Sequence, residues 1–207
     1  MPKDIRKIVE EGYEKGDYAG KFRISSTPNE MERYFLDRLV KEVSQQGRVL
    51  DFGCGIGIPF DNYLIEKGLD VTGIDISQKH IEQAKKNVPQ AKFVKGDFSK
   101  YDFAAGDFDA IISFYAIFHI PREEHQDLFS KMHTLLKESG VILITLGTSG
   151  SEYGEEQDWC GAPMAWSTYE PEEYKKIITN AGFKIVEEKY EGQSGDEEFH
   201  YWVIAKK

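Results

Sequence analysis

The sequence has little cysteine, no excess of basic charge and no long apolar run. Its two cysteines, Cys54 and Cys160, belong to no C-x-x-C or His-rich pattern, so neither a metal site nor a disulfide framework is predicted. The formal net charge of -10 opposes binding to nucleic acid or to an anionic membrane surface. No stretch approaches about 18 consecutive apolar residues, and the N-terminus lacks the apolar segment of a signal peptide. We therefore expect a cytoplasmic protein whose partners are neither nucleic acids nor membranes.

The length and the residue pattern predict one α/β domain over residues 1–207. Short apolar runs alternate with amphipathic stretches of helical period, which begin after potential capping residues such as Asn29 and Ser77. Strands that are apolar nearly throughout indicate a parallel sheet with helices on both faces. The last two extended runs, joined by the turn-forming GQSGD, predict a terminal antiparallel hairpin.

A glycine loop follows the first predicted strand. Gly53, Gly55 and Gly57 lie between that strand and a helix, where a doubly wound sheet binds an adenosine cofactor. A turn that only packs the helix on the strand is the alternative. A dinucleotide fingerprint would need glycine at Ile58 or Phe60, and no Gly-Lys-Ser/Thr follows. Nicotinamide and phosphate-binding loops are therefore disfavoured.

Acidic residues end the next two predicted strands. Asp75 lies 20 residues beyond Gly55, where a carboxylate accepts both hydroxyls of a ribose, unless it is a solvated strand-end residue. Asp97 and Phe98 end the third strand and offer either an acceptor for an exocyclic amine beside an aromatic wall or ordinary turn chemistry. These positions favour an adenosine-containing ligand.

Five segments resemble, in order, the motifs of the class I S-adenosylmethionine-dependent methyltransferases. They are VLDFGCGIG, VTGIDIS, KFVKGDF, FDAIISFYAIFHI and LLKESGVILIT, and the likeness covers nearly the whole chain. The resemblance implies a Rossmann-like, doubly wound sheet of seven strands in the order 3-2-1-4-5-7-6, with the last strand antiparallel. It also implies an N-terminal helical lid over residues 1–46 and S-adenosylmethionine as the cofactor.

The same resemblance assigns residues to the cofactor. Those expected at its methionine part are Asp51, Gly53, Cys54, Gly55 and Gly57; those at its adenosine are Asp75, Ile76, Asp97 and Phe98; Phe114 is expected beside the sulfonium, and Tyr18 above the cofactor in the lid. Tyr13 is the alternative to Tyr18, and plain helix packing is the alternative for both.

Two features concern the methyl acceptor. His119 follows the fourth strand and is the candidate catalytic base, because an imidazole titrates near neutrality; positioning of substrate and a structural role remain open. Residues 147–169 have no period and predict a long substrate loop, with Tyr153, Trp159 and Trp166 as aromatic walls or as a hydrophobic flap.

The expected function is methyl transfer to a small-molecule acceptor that the sequence does not identify. The transfer is an in-line displacement, in which holding the acceptor at near-attack distance supplies much of the acceleration. The alternative is a protein that binds S-adenosylmethionine or S-adenosylhomocysteine without catalysis. We expect a monomer or a homodimer.

Overall fold

The computed structural model describes residues 5–192 and 200–207. Its helices are α1 Arg6–Lys15, α2 Tyr18–Phe22, α3 Glu30–Glu42, α4 Phe60–Glu66, α5 Gln78–Asn87, α6 His125–Leu135 and α7 Pro171–Asn180, with short 3-10 turns at Ile117–His119 and Arg122–Glu124. Its strands are β1 Arg48–Phe52, β2 Asp70–Asp75, β3 Lys92–Lys95, β4 Phe108–Ser113, β5 Leu136–Gly147, β6 Gly154–Trp159, β7 Ala162–Trp166, β8 Lys184–Glu191 and β9 His200–Lys206.

Seven strands form one sheet in the order β3-β2-β1-β4-β5-β9-β8. Strands β1 to β5 pair in parallel, whereas β9 runs antiparallel to both β5 and β8. This topology confirms the predicted α/β fold, its strand order and its single antiparallel strand. The predicted β8–β9 hairpin is also confirmed, although most of its turn lies outside the described residues.

The sheet is buried on both faces. In β1, Val49 packs with residues of α3 and α4, whereas Leu50 and Phe52 pack on the other face with residues of α6 and α7. Such alternation between two cores explains why the strands are apolar nearly throughout. The carboxyl ends of β1, β2 and β4 meet at one edge, where a doubly wound sheet binds its ligand.

Two predicted caps fix helix starts. The Asn29 side chain accepts a hydrogen bond from the Glu32 amide, and the Glu32 carboxylate accepts one from the Asn29 amide, so α3 begins with a capping box. The Ser77 hydroxyl accepts from the His80 amide at 3.1 Å and begins α5 directly after Asp75. The second cap matters for the site because it fixes the chain beyond β2.

The prediction of a long loop without regular structure over residues 147–169 was wrong. Strands β6 and β7 form a two-stranded antiparallel hairpin there. Cys160 and Gly161 connect them with φ angles of 55° and 87°, as in a type I′ turn. The sequence concealed the hairpin because β6 is mostly polar and Cys-Gly is not the usual Asn-Gly turn signal.

The chain passes directly from α6 into β5. Helix α6 ends at Leu135, and residues 136–140 are already extended at the start of β5.

Within the described ranges, none of the helices has the length and apolar character required to cross a bilayer.

The N-terminal helices and the hairpin pack together. Helix α1 lies against β7, and a side chain at Gly12 would collide with the Pro163 carbonyl. The Asp17 amide donates to the Cys160 carbonyl at 2.8 Å. Because α2 follows directly, α1, α2 and the β6–β7 hairpin form one layer, here called the cover, over the carboxyl edge of the sheet.

Candidate active site

The glycine loop requires its three glycines. Gly53, Gly55 and Gly57 have φ angles of 84°, 54° and 76°, a region that side chains rarely adopt. A side chain at Gly53 would also collide with Ala116, whereas one at Gly55 would meet no atom within 4 Å. The loop therefore leaves space above Gly55 for a ligand to approach the backbone.

The Asp75 carboxylate supports this loop from the end of β2. Its Oδ2 accepts from the Gly55 amide at 2.9 Å, and its Oδ1 accepts from the Ser77 amide at 2.9 Å. The side chain is buried, and His80 Nδ1 lies 3.5 Å from Oδ1. Each carboxylate oxygen has a second lone pair, so Asp75 retains acceptor capacity for ligand hydroxyls.

A cavity lies between the glycine loop and the cover. The residues that line it are Val9, Tyr13, Tyr18, Arg23, Gly53, Cys54, Gly55, Ile56, Ile58, Phe60, Asp75, Ile76, His80, Phe98, Phe114, Tyr115, Ala116 and His119. The space that remains inside is about 50 Å³, enough for a few water molecules. A larger ligand therefore requires the cover to move.

Nine predicted site residues line this cavity: Tyr18, Gly53, Cys54, Gly55, Asp75, Ile76, Phe98, Phe114 and His119. Six do not: Asp51, Gly57, Asp97, Tyr153, Trp159 and Trp166. Gly57 faces Ala84, Val88 and Phe93 behind the loop.

Asp97 is engaged elsewhere. Its Oδ2 forms an ion pair with Arg6 Nε of α1 at 2.8 Å, and its Oδ1 accepts from both the amide and the hydroxyl of Ser99. Arg6 also contacts Glu124 at 2.5 Å. An exocyclic amine can reach Asp97 only if α1 and its arginine rearrange.

His119 joins the cover to the sheet. Its Nδ1 lies 2.8 Å from the Ala165 carbonyl and its Nε2 lies 2.9 Å from the Tyr13 hydroxyl. Burial lowers the pKa of His119 to about 4, so the ring is neutral at pH 7. Because a carbonyl only accepts, the proton lies on Nδ1, and Nε2 accepts from the Tyr13 hydroxyl. The remaining lone pairs of the Tyr13 oxygen can then accept a hydrogen bond from a ligand.

Arg23 and Tyr115 are two of the lining residues that the sequence analysis missed. The Arg23 guanidinium lies 5.1 to 5.3 Å from the ring centres of Tyr18, Phe60 and Tyr115, which hold it by cation–π contacts. Tyr115 has a φ of 57°, and its amide donates to the Thr145 hydroxyl at 2.6 Å. No sequence pattern distinguishes Arg23 from the other basic residues, of which there are 26 in all, and none predicts a left-handed conformation at Tyr115.

The predicted acceptor residues lie in the cover. Trp159 stacks on Tyr18 at 5.5 Å between ring centres and lies 6.1 Å from the Tyr13 ring, so it contacts the cavity wall from outside. Trp166 packs on Gly154 within the hairpin, and Tyr153 is 41% exposed. Trp159 thus touches two residues that line the cavity.

The fold and the cavity together define the class of protein. The site is that of an adenosine cofactor in a doubly wound sheet. It has a glycine loop at the first βα turn, a carboxylate at the end of β2 and a buried aromatic wall at the end of β4.

Sequence comparisons show a similarity to methyltransferases. The profile of the methyltransferase domain family matches residues 49–140, from β1 into β5. An uncharacterised methyltransferase of Synechocystis is 34% identical over 49% of this chain and 48% of its own length. Phosphoethanolamine N-methyltransferase of Plasmodium falciparum is 31% identical over 70% of this chain and 56% of its own length. The chain spans about half of the length, or less, of the curated relatives it matches, from 26% to 56%.

Solved structures agree on the fold. A 1,6-didemethyltoxoflavin N1-methyltransferase of Burkholderia thailandensis, bound to S-adenosylhomocysteine, superposes with a TM-score of 0.72 at 18% identity, over 98% of this chain and 87% of that chain. Magnesium protoporphyrin IX methyltransferase of Synechocystis, with bound S-adenosylmethionine, superposes with a TM-score of 0.72 at 17% identity, over 99% and 98%. Residues 49–140 are thus similar to the methyltransferase domain family, and the chain shares its fold with solved S-adenosylmethionine-dependent methyltransferases.

The lining residues fit the cofactor of this family. The ligand carries ribose hydroxyls and an amino-acid carboxylate. The Asp75 carboxylate matches the hydroxyls, and the Arg23 cation matches the carboxylate. The backbone at Gly55 has no side chain to block the approach of the ligand. His80 is buried, lines the cavity, and its Nδ1 has no hydrogen-bond partner among the described residues.

Proposed function

We propose that this protein transfers a methyl group from S-adenosylmethionine to a small-molecule acceptor. The observation that carries the proposal is the cavity that joins the glycine loop and Asp75 to the Tyr13–His119 pair. It combines features of a cofactor site with a hydrogen-bond acceptor for a second molecule. The net charge of -10 supports a small molecule rather than a nucleic acid. The cytoplasmic location and the oligomeric state stay predictions.

Different lining residues would bind different parts of the cofactor. Asp75 would accept the ribose hydroxyls, and Ile76 and Phe98 would pack on the adenine. Arg23 would bind the carboxylate of the methionine part, because it is the cation that lines the cavity. Phe114 would lie near the sulfonium, which supplies an activated methyl group when the cofactor is bound. Asp97 would reach the adenine amine only after release from Arg6.

Tyr13 and His119 would handle the acceptor. The Tyr13 hydroxyl is committed as a donor to His119 Nε2, so its oxygen accepts a hydrogen bond from the acceptor. An acceptor with an O–H or N–H group satisfies this requirement, whereas a fully substituted nitrogen does not. Loss of the acceptor's proton toward Tyr13, with His119 taking the phenolic proton, would leave a lone pair free for in-line attack.

The relatives' acceptors are chemically diverse. One similar protein is named for phosphoethanolamine, and five, among them one from Debaryomyces hansenii, are named for a sterol carbon. The hydrogen-bond requirement at Tyr13 favours the first chemistry, methylation of an amine or a hydroxyl, for this chain.

Direct titration tests the cofactor assignment. We expect isothermal titration calorimetry to show micromolar binding of S-adenosylmethionine and of S-adenosylhomocysteine, and no binding of NAD. Binding of NAD alone would reject the proposal. Cofactor binding without methyl transfer to any amine or hydroxyl acceptor would indicate that the chain is a binding protein rather than an enzyme.

The Trp159 side chain is expected to affect the acceptor through the cavity wall. Replacing it with alanine removes the stack on Tyr18, which is worth about 1 kcal/mol, so the acceptor's KM should rise about fivefold. Trp166→Ala is the matched control, since that ring packs inside the hairpin and should change KM less. A larger rise with Trp166→Ala would place the acceptor on the opposite side of the hairpin.

A further inference from the structure

A positively charged side chain lies among three aromatic rings in the wall of the cavity. The guanidinium carbon of Arg23 lies 5.3 Å from the centre of the Tyr18 ring. It lies 5.1 Å from the centres of both the Phe60 and the Tyr115 rings. A cation within about 6 Å of a ring centre is attracted by the ring face. The three rings, here called the aromatic cage, thus form a cation-binding site that Arg23 occupies.

Arg23 is held in the cage by the rings rather than by an ion pair. Its guanidinium forms no ion pair with a carboxylate among the described residues, and its Nη1 donates to the Phe22 carbonyl at 3.3 Å. Arg23 directly follows α2, and residues 24–27 after it are exposed. The guanidinium can therefore leave the cage without displacing a buried element of the fold.

Carboxyl groups behind the cage favour a cation inside it. The Tyr115 hydroxyl donates to Glu191 at 3.2 Å and lies 3.5 Å from Glu32 Oε1. Glu32 is 5% exposed, and its Oε2 accepts from the Asn29 amide at 2.7 Å. If Arg23 leaves, these two carboxyl groups lose the nearby positive charge. The empty cage would then attract another cation, because charges interact strongly where water is largely excluded.

The cage is separated from the ribose carboxylate and adjoins the expected reaction centre. That carboxylate ends β2, whereas Tyr115 follows β4, and β1 runs between these two strands. The Phe60 ring lies 4.2 Å from the ring of Phe114, the residue expected beside the sulfonium. The Tyr18 ring lies 5.4 Å from the Tyr13 ring. The cage therefore lies where a second molecule would be in reach of both the methyl group and the Tyr13 hydroxyl.

We propose that the aromatic cage binds a positively charged nitrogen of the methyl acceptor, and that Arg23 fills the cage until the cofactor carboxylate draws the guanidinium out. The inference rests on the proposed function, from which it takes the cofactor carboxylate and the acceptor. It narrows the acceptor class from amines and hydroxyl compounds to molecules that carry a cationic amine. An ammonium with N–H groups also supplies the donor that Tyr13 requires. The cofactor then binds before the acceptor.

The test uses two probes that differ only in charge. Choline carries a quaternary nitrogen, and 3,3-dimethyl-1-butanol has the same shape with a neutral carbon in its place. Each is titrated calorimetrically into the native protein, with and without saturating S-adenosylhomocysteine, which supplies no methyl group. With S-adenosylhomocysteine, choline should bind at least tenfold more tightly than the neutral probe. Without it, choline should bind at least tenfold more weakly, because Arg23 occupies the cage.

Substitutions in the cage test the residues themselves. With S-adenosylhomocysteine bound, Tyr115→Leu removes one ring and should weaken choline binding about tenfold. Tyr115→Phe keeps the ring and is the matched control, so it should bind choline within about threefold of the native protein. Arg23→Ala empties the cage, so choline binding should no longer depend on S-adenosylhomocysteine. The same variant should bind S-adenosylhomocysteine about tenfold more weakly, because the ligand carboxylate loses its partner.

Nuclear magnetic resonance of the native protein provides a measurement that needs no substitution. The three rings shift the Arg23 side-chain resonances away from their ordinary positions. Addition of S-adenosylhomocysteine should return these resonances toward those positions as the guanidinium leaves the cage. Unchanged Arg23 resonances in the complex would reject the inference.

The outcomes separate the inference from the proposed function. Binding of S-adenosylhomocysteine without preference for choline over the neutral probe would overturn the cage and leave methyl transfer standing. Equal choline affinity of the native protein with and without S-adenosylhomocysteine would also overturn it. If Tyr115→Leu weakened binding of S-adenosylmethionine but not of S-adenosylhomocysteine, the cage would belong to the sulfonium and the inference would be wrong. Absence of S-adenosylhomocysteine binding would overturn both proposals.

Discussion

Replacing Asp75 with alanine is expected to raise the dissociation constant for S-adenosylmethionine about 100-fold. Hydrogen bonds to a charged group contribute about 1.5 to 3 kcal/mol each, and two ribose hydroxyls are lost as partners. The same carboxylate also holds the Gly55 and Ser77 amides, so the loop loses its support as well. Calorimetric titration of the two proteins side by side measures the effect.

Two variants control for this result. Asp75→Asn keeps an acceptor for one of the two amides and should lose less affinity than alanine. Asp70→Ala removes a partly exposed carboxylate from the other end of the same strand and should leave affinity unchanged. Native-like binding by a folded Asp75→Ala protein would move the ribose site away from β2.

Replacing Tyr13 with phenylalanine is expected to lower kcat about 100-fold while the cofactor's dissociation constant changes less than about threefold. The variant removes one oxygen, which is the acceptor for the substrate's proton and the donor to His119 Nε2. His119→Ala should produce a similar loss, because the Tyr13 hydroxyl then loses the acceptor that orients it. Single-turnover kinetics with a methylatable amine or hydroxyl acceptor measures both.

The chain contains a matched control for this pair. The Tyr174 hydroxyl lies 3.1 Å from His125 Nδ1, both residues are buried, and burial lowers the pKa of His125 to about 4 as it does for His119. This second pair lies between α6 and α7, away from the cavity. Tyr174→Phe should therefore reduce stability without a selective loss of kcat.

The pH profile distinguishes His119 from an ordinary catalytic histidine. Because the pKa of His119 is lowered to about 4, its neutral form persists down to that pH. Loss of kcat through His119 should therefore occur near pH 4, with no inflection at about 6.5, the usual value for histidine. Equal kcat values for Tyr13→Phe and the native protein would exclude the pair from catalysis.

Local pattern predicted the fold class, because apolar strands that alternate with capped helices indicate a parallel sheet. The strand order 3-2-1-4-5-7-6 was implied by the resemblance to the class I methyltransferases, and the structure confirms it. The β6–β7 hairpin was not predicted, because its strand pattern is polar and its turn consists of Cys160 and Gly161. Alternation of apolar and polar residues is a weak signal when neither face is fully buried.

Residue type and spacing are enough to predict the glycine loop and Asp75, because positive φ angles favour glycine and the carboxylate follows an apolar strand. Which side chains from distant elements meet them depends on how the elements pack. Tyr13 reaches His119 across 106 positions of the chain, and Arg6 of α1 forms an ion pair with Asp97. Such contacts depend on packing and burial, which also set the charge states of these groups, and no local pattern encodes either.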